Sequence, residues 1–561
     1  MNLYRWASLP FFVAVVLAAS GNQTVKRIGS GDIPSDQQTY DFSPENRCAL
    51  LSHQSAVLKN DDHHLLVIEG GMSKFKFIWK AEVVEVLDLN PYTFSIDLTQ
   101  EFDPYTWTPS FQTRKPLNVP ALNRFGMWVD SSQDVIYIQG GHFYAASKWN
   151  ESSYSPEKAD IPDWSLWRFD VRSGKRAWED VTGDYGWKVE RALAGAVVSI
   201  PKYDLSFYGG GITNSRTSSE TPLGLSRPQV GMLVYNHTTS TMTNETFFGD
   251  EEGYGYWNGR MLHLPIGCGK GYLISFVPER ARAGTFLSDD GSVAEKTGES
   301  VVFNYAMIYS LDKKIWFNQS TTFFDDEKPI VRTRFCGAVV YSNETDTWEV
   351  WIHGGMSMDG QSGGIDEIWT KVSIPFGNSH LRGHTCHAVG EQLLIVGGYP
   401  PGEVVDEAAP CDNQLVKVFN MRNPGWKSRY ELNTVYKTPQ QVIDNAGLNL
   451  AGNRSPRKGW ADKDFGAAFS SCVSNNSTVE PHDNIPQSKP PLAKGAVVAI
   501  VVSSGLVLLA VIALLYKCTR FFSILYTYVT ACLSRLYTSV TACLGRLKGP
   551  AVEESTKNPP L

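Results

Sequence analysis

A glycine pair returns five times along this chain, each time at the end of a short apolar run. LLVIEGG ends at Gly70–Gly71, VIYIQGG at Gly140–Gly141, LSFYGGG at Gly209–Gly211, EVWIHGG at Gly354–Gly355 and LLIVGG at Gly397–Gly398. Each run has strand length, and each pair marks a place where the backbone turns tightly or passes close to another segment. A loop and a further strand follow, as in Leu166 to Val171 and Leu415 to Asn420. Repetition on this scale means one supersecondary unit used several times, not one irregular domain. An all-β array of four-stranded units closing into a ring satisfies it.

A large side chain trails the later strand of each unit. Trp316 follows Ser310, Trp426 follows Asn420, Phe94 follows Asp88 and Met242 follows Asn236, each by six positions, and Trp178 follows Asp170 by eight. A constant offset across a hairpin sets the same side chain into the same packing slot of every unit. Together the doublet, the next strand and the delayed Trp resemble kelch repeats. LWRFDVRSGKRAW (Leu166 to Trp178) and RGHTCHAVGEQLLIVGG (Arg382 to Gly398) carry the resemblance best.

The resemblance implies a kelch-type β-propeller. Six units begin near Arg47, Arg124, Arg191, Arg260, Arg334 and Arg382, and a seventh blade follows if Tyr436 to Phe469 supplies strands. The fourth unit, GYLISFVPER, lacks the glycine pair. Kelch rings usually close by pairing strands from both chain ends, which the segment before Cys48 is expected to provide. From Arg47 to Phe469 the chain is similar to membrane-anchored kelch proteins of filamentous fungi, a resemblance that implies an architecture and little about a ligand.

The compartment is read from the ends. Residues 1–20 read as a secretory signal peptide, one Arg followed by an apolar run ending in small residues. Residues 21–46 form the N-terminal segment, 47–470 the propeller and 471–494 a polar, Pro-rich stalk. Residues 495–516 are apolar without a charge, long enough for one transmembrane helix, and Lys517 and Arg520 after them place the tail, 517–561, in the cytosol. The expected protein is a type I glycoprotein of the secretory pathway, destined for the plasma membrane. Sequons at Asn22, Asn150, Asn236, Asn244, Asn318, Asn343, Asn453, Asn475 and Asn476 all precede the span. So do six cysteines, an even number suited to disulfides; Cys386 with Cys411 and Cys48 with Cys472 are the expected pairings among fifteen formal ones. In the tail, LYTYVTACLSR is repeated as LYTSVTACLGR, which puts Cys532 and Cys543 on one helical face as candidates for lipidation at an inner leaflet.

No catalytic motif is present: no Gly-x-Ser-x-Gly, no His-Glu-x-x-His and no P-loop. His380, His384 and His387 have ligand-like spacing, but in a strand His384 and His387 point to opposite faces, so no metal is expected. Kelch propellers that hold copper use an adjacent Tyr-His, which this chain lacks, and no cofactor is expected. The ectodomain is acidic, which argues against nucleic acid, whereas six basic residues against two glutamates in the tail suit an anionic leaflet.

Binding is the better-supported function. In antiparallel units the loop after the glycine pair and the loop between units open on the same end. An Arg recurs near the start of each first strand, at Arg124, Arg191, Arg260, Arg334 and Arg382, which predicts a guanidinium ring at the channel mouth. Aromatic residues in the loops between units, Trp187, Tyr256 and Trp257 with Tyr105, Trp107, Phe111, Tyr185 and Tyr254, predict a stacking rim. The expected ligand is an acidic peptide or a carboxylated sugar or polysaccharide. The competing reading of these residues is structural, Arg bridging units and aromatics packing loops. The alternative function is a small-molecule enzyme or pathway accessory that uses the mouth as a pocket.

Overall fold

The computed structural model describes residues 26–27, 47–60, 63–79, 82–143, 158–248, 253–266, 269–288, 305–321, 332–357, 365–367, 370–371, 381–399, 414–446, 463 and 465–466. Six four-stranded antiparallel sheets follow one another along these residues, each made from four strands in chain order. Sheet 1 holds Gln54–Lys59, His64–Glu69, Tyr92–Asp97 and Phe111–Arg114; sheet 2 holds Gly126–Asp130, Val135–Gln139, Leu166–Asp170 and Trp178–Asp180. Sheet 3 holds Ala196–Ile200, Leu205–Gly209, Met232–Asn236 and Thr241–Glu245; sheet 4 holds Arg260–Leu264, Tyr272–Phe276, Tyr305–Ser310 and Ile315–Ser320. Sheet 5 holds Cys336–Ser342, Thr347–His353, Ile365–Glu367 and Thr370–Lys371; sheet 6 holds Thr385–Val389, Gln392–Val396, Val416–Asn420 and Gly425–Lys427.

Strand composition follows position in the sheet. Second strands such as VIYIQ, YLISF and QLLIV are buried at every residue, because both faces meet neighbouring sheets. Fourth strands alternate: in Ile315–Ser320 only Phe317 and Gln319 are buried. A separate apolar cluster fills the space between each neighbouring pair of sheets. Leu58, Phe125 and Ile136 join sheets 1 and 2; Trp128, Tyr137 and Tyr208 join sheets 2 and 3; Phe207, Tyr256 and Leu273 join sheets 3 and 4. Phe276, Phe335 and Ile352 join sheets 4 and 5; Trp351, Leu393 and Phe419 join sheets 5 and 6; Leu66, Leu394 and Val416 join sheet 6 back to sheet 1.

The first strands lie side by side in cyclic order, and the backbone just before them forms a closed circle. Two residues ahead of each first strand stand Ser52, Arg124, Ala194, Asn258, Arg334 and Gly383, all at positive φ. Their peptides are linked head to tail. Ser52 N–H donates to Gly383 O (2.7 Å), Gly383 to Arg334 O (3.0 Å), Arg334 to Asn258 O (3.4 Å), Asn258 to Ala194 O (2.7 Å), Ala194 to Arg124 O (2.8 Å) and Arg124 to Ser52 O (2.9 Å). All-β architecture with this closure fits a kelch-type propeller.

The glycine pairs have a direct physical cause. All ten glycines of the five pairs have positive φ. The first of each abuts a carbonyl of the next sheet's entry loop. A Cβ there would lie 2.9 Å from Leu122 O at Gly70, 2.4 Å from Ala192 O at Gly140, 2.2 Å from Tyr256 O at Gly210, 2.4 Å from Leu381 O at Gly354 and 2.3 Å from Leu50 O at Gly397. The second glycine of each pair donates its N–H to that same carbonyl, at 2.7–2.9 Å. Of the triple Gly209–Gly211, Gly210 and Gly211 are the functional pair. In sheet 4 the second strand is followed instead by Val277–Pro278, and the link from this unit to the next, Arg334 N–H to Asn258 O, is the longest of the circle.

Several expectations are corrected. Sheet 6 is built from consecutive strands, so the chain ends do not share a blade; Lys26–Arg27 pairs in parallel with Glu82–Leu89 in an accessory sheet instead. That sheet grows from the hairpin Met72–Trp79/Glu82–Leu89, an insertion directly after the first glycine pair. Asp88 therefore belongs to the insertion, and Phe94 lies in the third strand of sheet 1, not the fourth; Trp178, Met242, Trp316 and Trp426 do occupy fourth strands. Among the described residues, Tyr436 to Phe469 supplies no strand: it contributes the helix Gln440–Ala446 and Phe465, whose ring packs 5.2 Å from both Tyr272 and Phe317. No helix among the described residues is long and apolar enough to cross a membrane. The signal segment, the stalk, residues 495–516 and the tail with Cys532 and Cys543 lie outside the described residues, as do Asn22, Asn150, Asn453, Asn475 and Asn476.

Candidate functional site

Loops after the glycine pairs and loops entering the first strands meet at one end of the ring. They pair within every unit: Leu51 with Met72, Asn123 with His142, Leu193 with Ile212, Trp257 with Glu279, Thr333 with Met356 and Arg382 with Tyr399. A cleft of about 60 Å³ opens there, lined by Ser52, Arg124, Asn258, Arg260 and Arg334 among others. Arg124 and Arg334 stand three places apart in the six-membered circle, on opposite sides of the axis, and their side chains converge. The Arg334 guanidinium, followed by burial, pushes Arg124 down to about 9. Burial lowers Arg334 and Arg382 as well, and Arg334 adds to the shift of Arg382. His142 is held well below its ordinary value by burial and by Arg124, Arg216 and Arg334. Glu279 is the acidic group that opposes this field; Asn258 Nδ2 holds it at 2.9 Å and the Thr333 hydroxyl donates to it. Like charges brought this close repel, and a carboxylate placed between them would lower that repulsion.

The five expected arginines do not form a ring of equivalent positions. Arg124 and Arg334 share the circle position, two residues before the strand; Arg382 is three before it, Arg191 five before it, and Arg260 begins it. Arg191 is a structural residue. It is buried, donates to Asp163 O (2.7 Å) and Gly140 O (3.4 Å), and covers the Phe143 ring at 5.2 Å. Arg260 points into the channel, with Nε on Phe335 O (3.1 Å) and Nη2 on His384 O (3.0 Å). Arg382 covers Tyr399 at 5.8 Å beside the mouth.

The stacking rim is corrected too. Tyr256 and Trp257 are buried, 1% and 6% exposed, because their strand is covered between sheets 3 and 4. Trp107 and Phe111 are buried, and Tyr105 and Trp107 sit in the loop joining the third and fourth strands of sheet 1, away from the mouth. Of Trp187, Tyr256 and Trp257, only Trp187, 37% exposed, faces solvent. Glu279 and Asn258 were not anticipated; both lie in the fourth unit, where the repeat pattern lapses.

Beyond the circle the channel wall carries a disulfide. Cys386 pairs with Cys336, not with Cys411, joining the first strands of sheets 5 and 6. Spacing within one unit suggested the other pairing; the ring instead brings neighbouring first strands together. Cys411, Cys472 and the side chain of Cys48 lie outside the described residues. His384 is buried against His353 (2.9 Å), whereas His387 meets Ser55 Oγ (2.8 Å) in the channel, so the two point apart as expected; His380 lies outside the described residues. Cys336, His353 and His384 do cluster within 4.8 Å, but the sulfur is committed to the disulfide and the trio offers no thiolate. The Ser55–His387 pair has the look of a nucleophile and base, yet burial pushes the imidazole down to about 4, too weak a base for that work near neutrality. Of the described sequons, Asn244, Asn318 and Asn343 are exposed and Asn236 is half-buried.

Among known proteins, a Kelch repeat-containing protein of Arthroderma benhamiae is 21% identical over 457 residues, covering 74% of this chain. The match supports a kelch-type propeller. It spans 63% of that relative's length, and no family model matches the chain.

Proposed function

We propose that this chain is a six-bladed kelch-type propeller acting as a non-catalytic recognition platform for a carboxylate-bearing ligand, an acidic protein segment in the first instance. The convergence of Arg124 and Arg334 across the circle carries this reading. A chain of net charge −7 that gathers arginines at one mouth places them against its own average, which favours recognition of an anion over general charge balance. Residues 495–516 would anchor the platform as a type I glycoprotein with the mouth outside the cytosol. An enzymatic role has less support: in the two serine–histidine contacts among the described residues, Ser55–His387 and Ser206–His237, the imidazoles are pushed down to about 4, chiefly by burial.

The test titrates full-length protein with a fluorescent Asp/Glu-rich peptide and, separately, with an oligogalacturonate, at several salt concentrations. Saturable peptide binding that weakens with salt is expected. Arg124→Ala with Arg334→Ala should weaken it at least tenfold without moving the unfolding midpoint. Preference for the oligogalacturonate would move the ligand to a polysaccharide. If neither binds, or the double variant binds as the parent does, the mouth is not a recognition site.

A further inference from the structure

Past the circle the channel widens into a cavity of about 300 Å³, the lower end of the range for small-molecule sites, roughly 300–1,000 Å³. Val57, Val129, Val197, Val198, Met261 and Leu262 supply much of its wall, and the Cys336–Cys386 disulfide lines it as well. Arg260 lines both this cavity and the cleft at the mouth, so its guanidinium stands at the boundary between them.

Arg260 is held in place yet electrostatically unanswered. Two carbonyls fix the plane of its guanidinium through Nε and Nη2, while Nη1 has no partner among the described residues. No carboxylate lines the cavity among the described residues. Burial alone lowers Arg260, to about 10, so it remains a cation at neutral pH. Its polar neighbours on the wall, Gln54, Ser55, Ser199, Thr385 and His387, are neutral, and His387 stays so because burial and then Arg260 push it down to about 4. A half-buried cation with no carboxylate beside it among the described residues is unfavourable, and an anion that reaches it from the mouth relieves it.

We infer that the cavity binds a small organic monocarboxylate with an apolar body, its carboxylate on Arg260 and its hydrocarbon part against the valines. One guanidinium with one unfilled nitrogen answers a single negative charge; a phosphate dianion would leave charge unbalanced against apolar walls. A volume of about 300 Å³ suits a small molecule and not a folded-over peptide segment. The site shares Arg260 and Gln54 with the mouth cleft, but its apolar wall is its own, and Arg124 and Arg334 line only the cleft.

Calorimetric titration of full-length protein with 3-phenylpropionate, and with the neutral isostere 3-phenylpropionamide, tests the assignment. Stoichiometric binding of the acid is expected, at least tenfold tighter than the amide. Arg260→Met should abolish it, Arg260→Lys should retain part of it, and Val198→Phe, which fills the cavity, should abolish it even if Arg260→Met does not fold. The Arg124→Ala, Arg334→Ala double variant should bind the acid as the parent does while losing the acidic peptide, which separates failure here from failure at the mouth. Equal affinity for acid and amide, undiminished binding by Arg260→Met or Val198→Phe, or no binding of the acid at millimolar concentration would each overturn the inference.

Discussion

Alanine at Gly140 and alanine at Gly174 separate two reasons for placing glycine at positive φ. The φ angles are +65° and +79°, so both substitutions force an L-residue into the left-handed region. That strain costs about 1–2 kcal/mol at either site. Around Gly174 an added Cβ meets nothing within 4 Å. At Gly140 it would lie 2.4 Å from the carbonyl oxygen of Ala192, which is backbone and cannot rotate away. Sheets 2 and 3 must then separate locally, and the 2.8 Å bond from Gly141 N–H to the same carbonyl is lost. Leaving that buried donor and acceptor unpaired costs roughly 1–3 kcal/mol more. Gly140→Ala should therefore destabilise the full-length protein by about 2–5 kcal/mol and Gly174→Ala by about 1–2 kcal/mol, compared by urea unfolding followed through tryptophan fluorescence. Losses that agree to within about 0.5 kcal/mol would show that the doublet serves only the backbone turn and not the seam between sheets.

Three further outcomes follow from single contacts. Peptide mapping without reduction should recover Cys336 joined to Cys386, and because 50 residues separate them, Cys386→Ser should lower stability by about 4 kcal/mol if chain entropy dominates; recovery of a Cys386–Cys411 peptide would refute the ring register. His237 is buried, meets Ser206 Oγ at 2.7 Å, and is pushed down from 6.5 to about 4 chiefly by burial. The unfolded chain takes up that proton near 6.5 and the folded one does not, so its contribution is complete above that pH and is lost as pH falls toward 4, by up to roughly 3 kcal/mol; His237→Gln should flatten the urea midpoint across that window, and an unchanged slope would count against it. Arg334→Gln removes the leading cause of the lowered Arg124, so it should leave the unfolding midpoint equal or higher while weakening peptide binding; a clear fall in the midpoint would assign Arg334 a structural role instead.

Much of the mouth was legible only in outline. Arg124 and Arg334 were found by recurrence, and recurrence also selected Arg191, Arg260 and Arg382, which differ in register by one to three residues from the circle. A strand tolerates no such slip, since one residue reverses the direction of a side chain. Tyr256 and Trp257 belong to a loop of the rim, yet Tyr256 packs between sheets 3 and 4 and Trp257 packs against Ala281 and Leu287 of accessory strands. Exposure depends on what an accessory strand covers, and accessory strands come from insertions that follow no repeat.

Local pattern therefore decided the kind of unit and that it repeats. A glycine doublet after an apolar run, and a large residue delayed across a hairpin, are short-range signals that need only their own neighbours to be read. The partner of Cys386, the circle of six peptides, the pairing of Arg124 with Arg334 and the cavity behind Arg260 join residues from different units, some more than two hundred positions apart. Those relations exist only once the ring closes, because closure sets which first strands are neighbours and which stand opposite one another across the axis.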